Sequence, residues 1–373
     1  MPSAFSRARK IILACGVLAS VTAHAQTDEA LCEKDLAYLP DFLLRNDAGV
    51  LTLDSARQRA AVESAIKAAR SRSVEISDRD SCLELLNVFL KTYRRGHLWI
   101  QDSQRSKAAT PSSPGTASDN KPDPQIPTFR LLSAHTALLV VPSFYIQYRE
   151  PLIGLLKKHA EDISTRRNLL IDVRLNGGGS DATYYALMPR IVANAATNIG
   201  VEFLATEDNA KGIEYWIRQQ KSEPLQDAVR RIQNAMRAHP AGSFVRVPGI
   251  GESGQTSQPE AVTHPARIGI LIGQRCGSSC EQFLLEARQS YKTKLFGRNT
   301  AGALDYSNMA EHGLPSGQRT LFYATSRSAR LPLFPVDASG IQPDQFFPAP
   351  ANAEEYEAEI AKVQAILEAM PGH

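Results

Sequence analysis

The chain has 373 residues, more than a typical single domain, with 43% hydrophobic and 22% charged content, the ordinary balance of a soluble globular protein. Its formal charge of +3 falls to about 0 without the first 25 residues, which carry Arg7, Arg9 and Lys10 and no acidic residue. Nothing in that balance argues for nucleic acid or an anionic membrane as a partner.

In chain order, the first element is a leader. The three basic residues precede the apolar run IILACGVLASVTA, and AHA before Gln26 supplies small residues for cleavage, so residues 1–25 are expected to be a secretory signal peptide. The run is shorter than the roughly 20 residues a spanning helix needs, so the mature chain is expected to hold no integral membrane segment and to be periplasmic or secreted. Cys15 after LA offers a lipoprotein alternative, but cleavage there would expose GVLASVTA at the new terminus. Four cysteines remain: Cys32, Cys82, Cys276 and Cys280. An even number in an exported chain suggests disulfides, and of the three possible pairings proximity favours Cys32 with Cys82 and Cys276 with Cys280. CGSSC has the wrong spacing for a CxxC zinc site.

Residues 26–102 have helical periodicity, clearest in DSARQRAAVESAIKAARS and SCLELLNVFLKTYRR, and are expected to form a small N-terminal helical domain. Residues 103–126 are rich in Ser, Thr, Pro and Gly and read as a flexible linker. From 127 to 373, short apolar runs (TALLVV, NLLIDVR, RIGILIG, TKLFG, RTLFYATS) alternate with helical stretches, which predicts an α/β core around a buried sheet. Residues 206–240 read as a polar helical insertion, and the chain ends in an amphipathic helix over ANAEEYEAEIAKVQAILEAM.

Two segments could carry chemistry. In RIGILIGQRCGSSCEQFLLEARQ a buried strand turns tightly into a helix. A serine at such a turn sits where unpaired N–H groups and the helix dipole favour developing negative charge. Glu281 lies three residues after Ser278, so a capping box is the competing structural explanation. In NLLIDVRLNGGGSDATYY a strand enters three glycines before a helix, a turn whose backbone can approach a ligand closely. It lacks the GK[ST] of a phosphate loop and the GxGxxG of a dinucleotide site.

The ordered series TALLVVPSF, LLIDVRLNGGGSD, ILIGQRCGSSCEQF, LFGRNTAGA and ASGIQPDQF, spread over 129–346, resembles the core of the tail-specific (C-terminal processing) and tricorn-core serine peptidases. The resemblance implies a crotonase-like (ClpP/crotonase) α/β core, peptides or protein tails as substrates, and no metal or organic cofactor. It places the nucleophile at Ser278, with backbone oxyanion donors at Gly178 or a neighbouring glycine and at Ser279. Ala303 stands where tail-specific members have a lysine base. Tricorn-like members instead take a histidine after the helical region, which implies His97 as general base, with Gly96 where their serine stands. The acidic residue before the GxxPD loop is Asp337, implied as the group that orients His97. No PDZ domain separates the helical region from the core. The alternative is a non-catalytic binding module on the same fold.

Overall fold

The computed structural model describes residues 27–50, 56–103, 123–219, 222–255 and 264–371. The expected leader at 1–25 and residues 104–122 of the expected linker lie outside them.

The chain opens with three helices, α1 (Asp28–Asn46), α2 (Ala56–Ser73) and α3 (Arg79–Leu90). Thr27 and Asp78 cap the first and third by accepting hydrogen bonds from N3 backbone N–H groups. The Cys32–Cys82 disulfide ties α1 to α3 with Cα atoms 5.8 Å apart. The strands follow as β1 (Trp99–Asp102), β2 (Thr128–Leu131), β3 (Thr136–Val140), β4 (Asn168–Asp172), β5 (Thr197–Asn198), β6 (Val201–Leu204), β7 (Phe244–Val245), β8 (Gly254–Gln255), β9 (Arg267–Ile272), β10 (Thr293–Gly297), β11 (Tyr306–Gly313), β12 (Arg319–Ser328) and β13 (Gln345–Phe346).

Six strands form a sheet in the order β13-β10-β9-β4-β3-β2, parallel except at the β2 edge. Every residue of β4 and β9 is buried, as continuous apolar runs covered on both faces require. One face packs against α4 (Arg149–Lys158) and a further helix at Ser279–Ala287, through Leu152, Leu156, Phe283 and Leu284. The opposite face takes the C-terminal helix Ala353–Ala369 through Ile360, Val363 and Leu367.

A second sheet is antiparallel. β12 pairs with β11 along one edge, and with β1 and then β6 along the other, with β7 beside β6. A single hydrophobic core joins this sheet to the N-terminal helices: Leu36, Phe42, Leu86 and Phe89 pack with Phe203, Leu321 and Tyr323. Within 206–240 the helices are Glu207–Gly212, Glu214–Gln219 and Glu223–Ala238, the last entering the same core through Val229, Ile232 and Met236. The fold is therefore mixed α/β, and the first sheet ends β4 and β9 at the glycine and serine turns.

Candidate active site

β9 leads through a six-residue turn into the helix that starts at Ser279, and Ser278 occupies its N-cap with φ 56° and ψ −127°. Such a backbone conformation costs a non-glycine residue on the order of 1–3 kcal/mol and persists only where the surroundings enforce it. Three of them do. The Ser278 N–H donates to the Ala303 carbonyl at 3.0 Å, its own carbonyl accepts from Gln282 N at 3.0 Å, and the Cys276–Cys280 disulfide closes the turn with Cα atoms 5.4 Å apart. The hydroxyl makes no capping bond.

Glu281 is not the second half of a capping box either. Fully buried, it accepts hydrogen bonds from Thr300 Oγ1, from Gly302 N at 2.7 Å and from Ala303 N at 2.9 Å. Burial raises its pKa, against the lowering effect of those donors. The carboxylate fixes the 300–303 loop, and that loop supplies the Ala303 carbonyl to Ser278.

The glycine turn packs directly on the serine. Gly178 has φ +97°, and a Cβ there would lie 2.6 Å from the Gly277 carbonyl oxygen and 2.7 Å from Ser278 Cβ, so only glycine fits. Its N–H, expected to face an oxyanion, instead donates to Asn176 Oδ1 at 2.9 Å, and Asn176 Nδ2 donates to the Val141 carbonyl. Among the described residues the N–H groups of Ser279 and Gly179 have no hydrogen-bond acceptor. Ser279 Oγ donates to the Gly179 carbonyl at 3.2 Å, which holds the two backbones side by side.

His97 lies between α3 and β1 with φ +53°. Arg94 shapes this loop: its Nε donates to the Gly96 carbonyl at 2.9 Å and its Nη2 to the His97 carbonyl at 2.6 Å. The same guanidinium pairs with the buried Asp47, which also accepts from the N–H groups of Gly49 and Val50. The imidazole Nδ1 is 2.6 Å from the Tyr306 carbonyl oxygen. A carbonyl can only accept, so Nδ1 carries the proton and Nε2 keeps its lone pair. Burial, and then the Arg94 charge, lower the His97 pKa to about 4.

The histidine loop and the serine turn meet at Ala303. A Cβ on Gly96 would come within 2.4 Å of Ala303 Cβ, while the Ala303 carbonyl holds Ser278. The two positions at which the sequence departs from the pattern it resembles thus lie against each other. No hydrogen bond joins the His97 ring to Ser278.

Asp337 does not hold His97, contrary to the expectation from sequence. Its Oδ1 accepts from Leu304 N and Asp305 N, each at 2.7 Å, and the Tyr306 carbonyl takes the imidazole N–H in its place. Asp305 in turn accepts from Val336 N and Asp337 N and pairs with Arg330. Asp337 therefore braces the segment that carries Tyr306. Asp47 and Arg94 carried no signal in the sequence, whereas Asn176 fell in the RLNGGG turn and braces it, and Glu281, in SxxE, fixes the 300–303 loop rather than a capping box. Among the described residues, no group of three or more His, Cys, Asp and Glu side chains is arranged to hold a metal.

Residues 135–345 match peptidase family S41. Mature CPAF has a similar fold at 13% identity, with a TM-score of 0.59 over 90% of this chain and 97% of that one. A candidate peptidase from Parabacteroides merdae is similar at 12% identity, with a TM-score of 0.54 over 90% of this chain and 96% of that one. No curated protein matches significantly.

Proposed function

The chain belongs to peptidase family S41 and is a serine-type peptidase, and from that premise we propose that it is exported and cleaves peptides or protein tails through a Ser278 acyl-enzyme, with His97 as general base. The observation that carries the assignment is the strained Ser278, its hydroxyl free of capping, set against the glycine turn and joined to the histidine loop through Ala303. A serine on a strained strand-to-helix turn presents its Oγ outward.

In the first half-reaction Ser278 Oγ bonds to the scissile carbonyl carbon while its proton passes to His97 Nε2. The negative charge that develops on the carbonyl oxygen is met by the Ser279 N–H and, because the Gly178 N–H is engaged by Asn176, by that of Gly179. Collapse breaks the C–N bond and His97 returns the proton to the departing amine. Water then attacks the ester, with His97 again taking and returning one proton. The Tyr306 carbonyl does the orienting work, and Asp337 supports it from behind. The six-stranded sheet and its helices read as a crotonase-like core, with α1–α3 as the helical N-terminal region and Ser278 at the junction of the two. Two disulfides agree with export into an oxidising compartment.

The missing hydrogen bond between His97 and Ser278 favours a second reading, a binding module without turnover. A fluorophosphonate probe separates the two. The peptidase reading expects labelling of the wild type, none of Ser278→Ala, and at least about 100-fold slower labelling of His97→Ala. An unlabelled, folded wild type supports the binder.

A further inference from the structure

Ser279 has a single hydroxyl proton and two neighbours that can take it. Its Oγ lies 3.2 Å from the Gly179 carbonyl oxygen, and the Asp181 carboxyl is within hydrogen-bonding reach of the same Oγ. A carbonyl only accepts, a serine hydroxyl donates once, and a carboxyl donates only when protonated. With Asp181 neutral, its O–H donates to Ser279 Oγ while Ser279 donates to Gly179, and all three groups are satisfied. With Asp181 ionised, the carboxylate competes for the one Ser279 proton, and a charged acceptor makes the stronger bond. The Gly179 carbonyl then loses the contact that holds its backbone beside that of Ser279.

The surroundings favour the neutral form. Asp181 opens the helical turn Asp181–Tyr184, which packs on the Ser279–Ala287 helix. A second carboxyl on that helix, the buried Glu286, accepts from Tyr184 Oη at 2.7 Å and from Gln282 Nε2 at 3.2 Å. Among the described residues, neither acid pairs with a lysine or arginine. Arg330 reaches Gln282 at 3.4 Å and pairs with Asp305. On the other side of the turn, Arg149 of α4 is engaged by the Ala182 carbonyl and Glu150, and Tyr148 donates to Asp123. Tyr185, next along the chain, is neutral, its pKa pushed by burial up to about 12. Two carboxyls in one seam without a cation disfavour double ionisation, and Glu286 has two donors of its own. The proton therefore belongs to Asp181. Burial first, and then the Glu286 charge, push its pKa up to about 6 against the opposing effect of the Ser279 hydroxyl.

We propose that Asp181 is a positioning residue for the oxyanion donors, its neutral form holding Ser279 on Gly179 and its ionisation releasing that brace. The role rests on the peptidase reading and adds a second titrating group to it. Its sign is opposite to that of His97: the brace is intact below the Asp181 pKa and lost above it, so reaction at Ser278 slows as pH rises through about 6.

Fluorophosphonate labelling is timed between about pH 5 and 8 in wild type, Asp181→Asn and Asp181→Ala. Wild type should slow about 10-fold across that range, less than the roughly 100- to 1000-fold that losing an oxyanion donor outright costs. Asparagine keeps a donor at every pH, so Asp181→Asn should hold the fast rate throughout and overtake wild type at the alkaline end. Alanine supplies none and should hold the slow rate throughout. Independently of turnover, the amide NMR signals of Gly179 and Ser279 in Ser278→Ala should titrate together with a midpoint near 6, and should not do so in Asp181→Asn/Ser278→Ala. Should Asp181→Asn unfold, the titration in Ser278→Ala alone decides. Wild type and Asp181→Asn that slow in parallel, equal rates in the asparagine and alanine variants, or amides that do not titrate overturn the role of Asp181. Amides that titrate in a folded wild type that takes no label at any pH retain the brace and overturn the peptidase reading instead.

Discussion

Burial and the neighbouring Arg94 guanidinium keep the His97 ring neutral well below the ordinary histidine range. Its folded-state pKa of about 4 lies under the unfolded value near 6.5, so the unfolded chain takes up the extra proton between these values and stability falls as pH drops through that window. Activity should follow the folded value, with a plateau through neutral pH and an acid limb in kcat/KM centred near 4. Burial also raises Asp181, which contacts Ser279, to about 6, so the profile is best recorded in Asp181→Asn. A limb at 6.5 or above in that variant contradicts the environment assigned to His97. Glu281→Gln is a second test at this scale. An amide nitrogen replaces one acceptor oxygen among three donors, which should cost about 1–3 kcal/mol in chemical denaturation and lower kcat with it. Ser278 and His97 were legible as candidates through the family motifs they fall in. The orienting group was not, because a backbone carbonyl such as that of Tyr306 leaves no trace in residue identity.

The elements around the site divide their work, and the two disulfides show how. Cys32–Cys82 closes a loop of 50 residues between helices, whereas Cys276–Cys280 closes a loop of four around Ser278. Loop-closure entropy makes the first the larger contributor to stability, about 2–5 kcal/mol, and the second a minor one. Cys32→Ala/Cys82→Ala should therefore lower the denaturation midpoint most, while Cys276→Ala/Cys280→Ala should lower kcat most; the reverse order would contradict these roles. The buried strands β4 and β9 were readable because parallel strands covered on both faces must be apolar throughout. β11, YSNMAEHG, was not recognised because an antiparallel strand with mostly half-buried residues carries no such run.

At the scale of the molecule, the His97 loop belongs to the seam between the N-terminal helices and the antiparallel sheet. Two buried acids of α1 and its end cross that seam: Asp47 to Arg94 and the Ala324 N–H, Asp35 to Arg319 and Ser316. Removing either carboxylate strands a buried arginine, at about 3–5 kcal/mol. Asp47→Asn and Asp35→Asn should thus destabilise alike in urea, but only Asp47→Asn should also shift the His97 resonances in NMR and reduce turnover in the folded fraction. Helices in this region were legible from their periodicity. Their shared core with distant strands was not, since pairs such as Phe42 and Tyr323 are linked only by tertiary packing. The contact of Gly96 with Ala303 has an evolutionary corollary. A long side chain at 303 would need the volume that the 96–97 loop fills, so position 303 can grow only in a lineage that alters the facing loop with it.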